Sequence, residues 1–132
     1  MKIIIETEPV PKGRARTKYV NGNVITYTPQ HTQEAQQAIF DIVHSKSLTP
    51  FKQHTPLRLS VIFRRTKSKW LPKRETMPFR KPDLDNFIKL VSDSINKDLI
   101  PDDAQITTII AQKRWTDKPY GYIELEIEED QL

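Results

Sequence analysis

The chain has 132 residues, with 21 Lys and Arg against 17 Asp and Glu for a net charge of +4, and no cysteine. Such a length makes one domain that buries roughly two-thirds of the surface its unfolded chain exposes, and the missing thiols exclude disulfide scaffolding, thiolate zinc sites, iron–sulfur clusters and cysteine nucleophiles. No apolar run approaches the ~20 residues of a spanning helix, and the start at Met1 turns acidic at Glu6 too soon for a signal peptide, so a soluble, cytoplasmic protein is expected.

Ile3 to Thr7 opens the chain as a β-branched strand, ended by Pro9 and Pro11, which cannot donate to a ladder. A basic loop leads to Tyr19–Tyr27, a small hairpin around Asn21-Gly22-Asn23. Thr32 reads as an N-cap, followed by a helix to about Ser45 with Ala35, Ala38, Ile39, Ile42 and Val43 on one stripe. Leu57, Leu59, Val61 and Phe63 alternate with polar or charged neighbours as a half-buried strand up to Arg64. Thr66 to Lys81 has no apolar period and reads as a long loop carrying Trp70 and Phe79; loops of that length in a small domain are usually functional or disordered. Asp83 to Lys97 is the clearest helix, with Phe87, Leu90, Val91, Ser94 and Ile95 facing inward. Ile106–Trp115 and Ile123–Ile127 are the last strands, the second preceded by the turn Pro119-Tyr120-Gly121. The order predicts a mixed α/β domain of α+β character over residues 1–132, two main helices packed on a small mixed sheet.

Charge is segregated along the chain. Arg14, Arg16 and Lys18 form one basic run, and Arg64, Arg65, Lys67, Lys69, Lys73, Arg74, Arg80 and Lys81 another. Both are candidate phosphate contacts, because clustered cations attract a polyanion and gain from released counterions. Glu124, Glu126, Glu128, Glu129 and Asp130 make the C-terminal segment acidic, so it is expected to face a different partner. The alternative for the basic residues is a solvated surface. Trp70 and Phe79 suit either stacking on unpaired bases or a local apolar anchor. His31, His44 and His54 lack the mutual spacing of a site.

Carboxylates gather in Asp83-Leu84-Asp85-Asn86 at the start of the second helix and in Asp102-Asp103 beyond its end. Exposed N–H groups and the helix dipole keep Asp83 and Asp85 anionic, the state a hard divalent cation requires. The competing role for Asp83 is a plain helix cap. Lys89 lies one turn after Asp85 and Asp93 one turn later, on a polar stripe. The turn Pro101-Asp102-Asp103 is expected to bring a third carboxylate back toward the helix, completing an oxygen-rich site of the kind Mg²⁺ takes.

The pattern Asp83-Leu84-Asp85-Asn86, Lys89 and Asp93, then Asp102-Asp103-Ala104-Gln105 and a strand ending in Lys113-Arg114, resembles the RusA family of Holliday junction resolvases, most specifically over 81–114. The resemblance implies a homodimeric endonuclease that nicks opposed strands of a four-way DNA junction with Mg²⁺, Mn²⁺ being a substitute. It places Asp83, Asp85 and Asp103 on the metal-binding catalytic aspartates and Lys89 on the functional lysine, with Asp102 and Asn86 in supporting positions. The ligands come from one or both protomers. A branch- or flap-cutting nuclease and a noncatalytic basic DNA-binding module are the other readings.

Overall fold

A computed structural model describes all 132 residues. Its centre is the alternating segment β4 (Leu57–Arg65), whose Leu57, Leu59, Val61 and Phe63 are buried on one face. β6 (Tyr122–Glu129) runs antiparallel to β4 and to β1 (Lys2–Ile5), while β5 (Ile106–Trp115) runs parallel to β4, giving the strand order β1-β6-β4-β5. A parallel neighbour cannot be reached by a tight turn, so the chain crosses over through α2 (Leu84–Ile95). α1 (Gln30–Ser45) packs beside α2 on the same face. Phe63 of the sheet stacks on Phe87 of α2 at 5.3 Å between ring centres, and Ile39, Val43, Leu90, Val91 and Ile95 close the core against Ile5, Leu59, Ile123 and Leu125.

The mixed sheet with two helices agrees with the expected fold class, and β5 has its expected limits. The first strand ends at Ile5 rather than Thr7, since pairing to β6 stops at Ile5–Ile123. The hairpin is longer than Tyr19–Tyr27: β2 (Arg16–Val20) pairs with β3 (Asn23–Tyr27) through a turn in which Asn21 (φ 51°) and Gly22 (φ 79°) take the left-handed conformations a two-residue hairpin needs.

Thr32 is not an N-cap. Pro29 holds that position without a side-chain bond, and Thr32 lies fully buried inside the first turn, where its hydroxyl oxygen accepts the Gly13 N–H at 2.9 Å. The acidic strand also differs from expectation. Glu128 pairs with Arg58, and Glu124 accepts from Arg64 Nε at 3.0 Å, so these glutamates neutralise arginines of the neighbouring strand on the sheet face opposite the helices.

Thr32→Val keeps the shape but leaves the Gly13 N–H without its acceptor. It is expected to lower unfolding free energy by about 1–3 kcal/mol, read as a shifted denaturant midpoint at constant slope.

Candidate active site

Asp83 takes the N-cap position of α2 with extended backbone (φ −71°, ψ 145°), yet its carboxylate makes no capping hydrogen bond. It is 55% exposed and stands 3.5 Å from Lys81 Nζ. Asp85 follows, exposed in the first turn. The free N–H groups and dipole of the helix start favour negative charge at this end of α2. The carboxylate of Asp83 is therefore free of the structural duty that competed with ligation.

Lys113, near the end of β5, grips this end of α2. Its ammonium donates to the carbonyls of Arg80 at 3.0 Å and Pro82 at 2.8 Å. Burial, then the charge of Arg65, holds its pKa below the usual lysine value, while Asp83 pulls the other way. Sequence reasoning names Lys113 in the pattern that carries the resemblance but not among the site residues. Lys89 is exposed one turn beyond Asp85 and forms no ion pair, because Asp93 pairs instead with Lys12, whose backbone N–H also donates to the Asn86 carbonyl at 3.0 Å.

The other carboxylates lie elsewhere. Asp102 caps the short 3-10 turn Asp103–Gln105 by accepting the Ala104 N–H at 3.0 Å, and the N–H of Asp103 donates to Asn96 Oδ1 at 3.2 Å. The Pro101-Asp102-Asp103 turn thus returns the chain to the C-terminal end of α2, not to Asp83. Twelve helical residues at about 1.5 Å each put roughly 18 Å between the two ends. β5 shows the same separation of ends: Asp103 precedes its first residue, whereas Lys113 touches Pro82 near its last.

The expected ligands, from one or both protomers, are not gathered within a single chain: Asp83 and Asp85 stand at one end of α2 and Asp103 at the other. Mg²⁺ binds oxygens at about 2.0–2.1 Å, so two carboxylates on one ion lie only a few ångströms apart. No group of three His, Cys, Asp or Glu side chains in the chain is arranged to hold a metal. The donor chemistry suits Mg²⁺; the geometry of a single chain does not.

The eleven candidate DNA-contacting cations fall into two sets. Arg64 is paired with Glu124, and Arg65 lies over the Phe87 ring at 5.5 Å with a buried Nε that has no partner. Lys67 donates to the carbonyls of Pro72 at 2.9 Å and Glu75 at 2.8 Å, and Arg80 Nε donates to Glu75 at 3.2 Å. These four hold the protein together. Arg14, Arg16, Lys18, Lys69, Lys73 and Arg74 are exposed without ion pairs, and Lys81 is 88% exposed beside Asp83. The free cations therefore sit on the hairpin approach and on loop 66–82.

That loop has no helix or strand, yet it is tied down. Besides the bonds of Lys67 and Lys113, the Trp115 indole N–H donates to the Glu75 carbonyl at 3.0 Å, and Pro78 is buried.

The family described as endodeoxyribonuclease RusA matches the chain over residues 6–128. An uncharacterized protein, YqaN, of Bacillus subtilis (strain 168) is 27% identical over 128 residues, covering 90% of each chain.

Hydrogen bonding to Arg80 holds the Glu75 carboxyl below its ordinary value of 4.5. A depressed carboxyl stabilises the bonded form above that ordinary value and loses this contribution as pH falls through the folded value. Glu75→Gln at neutral pH, or acidification of the native protein below about pH 4, is expected to speed amide exchange in loop 66–82 ahead of the strands. Exchange mapped by mass spectrometry checks it.

Proposed function

The chain belongs to the RusA family of endodeoxyribonucleases, and on that premise we propose that it resolves four-way DNA junctions by paired symmetric nicks, as a Mg²⁺-dependent homodimer acting on DNA inside the cell. The observation that carries this reading is the exposed pair Asp83 and Asp85 at one end of α2, the Asp83 side chain making no capping bond, with Asp103 at the other. A second chain supplies what one lacks. In a two-fold pair whose axis passes beside the middle of α2 and at right angles to it, Asp103 of each protomer approaches Asp83 and Asp85 of the other.

Three features support that arrangement. β5 is an edge strand, paired on one side only, with Ile109 44% and Ile110 53% exposed near its middle. Leu84 and Ile88 of α2 and Ala111 of β5 are apolar and only partly buried alongside. The two ends also carry opposite charge, Lys81, Lys113 and Arg114 near Asp83 and Asp98, Asp102 and Asp103 beyond the helix, so a two-fold sets each against its complement.

Asp83 and Asp85 of one chain, with the partner's Asp103, would hold a divalent ion, which would supply positive charge and an activated water for phosphodiester hydrolysis. The side chains do the rest. Lys89, unpaired and one turn from Asp85, faces the bound phosphate, while the free cations of the hairpin and loop hold flanking backbone without reading sequence. Two such sites related by the axis meet two equivalent strands of a junction.

The incompleteness of the carboxylate set in one chain also favours a second reading, a basic DNA-binding module without catalysis. Mixing separates them. Asp85→Asn and Asp103→Asn are each expected to reduce junction cleavage by more than the roughly 10- to 100-fold that loss of a supporting group costs, with junction binding retained. Unfolded and refolded together, the two variants form a mixed dimer in which one site is wild type. One strand per junction is then nicked, and EDTA abolishes it. Recovery absent from the mixture despite active wild type places the ligands within one chain, and no cleavage by wild type with any divalent metal leaves the binding module.

A further inference from the structure

Three large apolar side chains of loop 66–82 stand in solvent, Trp70 95%, Met77 53% and Phe79 71% exposed. Single exposed apolar residues need no explanation, but a group of them within a few residues does. The backbone that carries Phe79 is fixed. Pro78 before it is buried, the carbonyls of Arg80 and Pro82 after it are held by Lys113, and Arg80 is held by Glu75. The Arg80 guanidinium lies 5.5 Å from the centre of the Phe79 ring, backing the aromatic while the ring remains largely open. A cleft of about 310 Å³ runs between Met77, Pro78 and Phe79 on one side and Leu84, Lys113 and Arg114 on the other.

The surroundings indicate what covers this surface. Lys69, Lys73, Arg74 and Lys81 are exposed on the same loop, and Lys113 and Arg114 line the cleft. Lysine is depleted where proteins meet proteins, whereas aromatics set among cations are how proteins hold unstacked bases beside a phosphate backbone. Distance selects Phe79. Phe79 stands four positions before Asp83, a chain reach of at most about 14 Å, so it lies within a nucleotide or two of any phosphate held at Asp83 and Asp85.

We propose that Phe79 stacks on a base left unstacked at the branch point, with Arg80 behind the ring and Met77 exposed beside it. This inference rests on the nuclease reading above. The stack makes the enzyme select branched over linear DNA, because only a branch point offers a base whose unstacking is already largely paid for by the junction. Phe79 is here a specificity-determining contact and takes no part in bond cleavage.

The test uses the full chain in EDTA with four-way junctions carrying 2-aminopurine at the branch point or in one arm, followed by cleavage in Mg²⁺. Wild type is expected to change the branch-point fluorescence and leave the arm unchanged. Phe79→Ala is expected to lose the branch-point signal and to weaken junction binding about 5- to 150-fold, the range of one base–aromatic stack, with linear-duplex binding and oligomeric state unaltered. Phe79→Tyr restores both. The stack is overturned if Phe79→Ala retains the branch-point signal while wild type cuts junctions, or if Phe79→Ala yields monomers, which makes the surface a contact between copies. Wild type that neither binds nor cuts branched DNA overturns the nuclease reading and this inference with it.

Discussion

The parallel pairing of β4 with β5 governs the rest of the molecule. Parallel neighbours need a crossover as long as the strands themselves, and α2 fills that role, lying along the sheet with Phe87, Leu90, Val91 and Ile95 in the core. Everything joined to the crossover is sorted to one end or the other. The segment entering α2 brings Asp83 and Asp85 to the end where β5 finishes, and the segment leaving it brings Asp102 and Asp103 to the end where β5 begins. An antiparallel return would have placed both carboxylate groups at one end.

The same geometry assigns roles to the charges. Arg58 and Arg64 of β4 are paired across the sheet with Glu128 and Glu124 of β6. The free cations lie on the hairpin and on loop 66–82, the latter adjoining the Asp83 end of α2. Loop 66–82 gets its shape from polar bonds to its own carbonyls, with Lys67, Lys113 and Trp115 as donors, and so it presents apolar side chains outward without a core of its own.

Much of this was legible in the sequence. Alternation in Leu57–Phe63 and the stripe Phe87–Leu90–Val91–Ile95 are local consequences of burial on one face, and they located β4 and α2 closely. The carboxylate positions were legible as residues but not as a constellation, because their separation depends on strand direction, which no local pattern records. Thr32 carried a capping signal that burial against Gly13 overrode. Lys67 and Arg80 read as surface cations because a lysine that holds loop carbonyls has the same sequence appearance as one that awaits a phosphate.

The distance between the two ends of α2 bears on when such a nuclease acts. Under the two-fold arrangement, a newly made chain is inert, and below the dissociation constant of the pair the number of working sites rises with the square of the amount of protein. Halving expression then removes about three-quarters of the cutting capacity. On that proposed arrangement the length of one helix makes cutting wait on the accumulation of the chain, without any inhibitor.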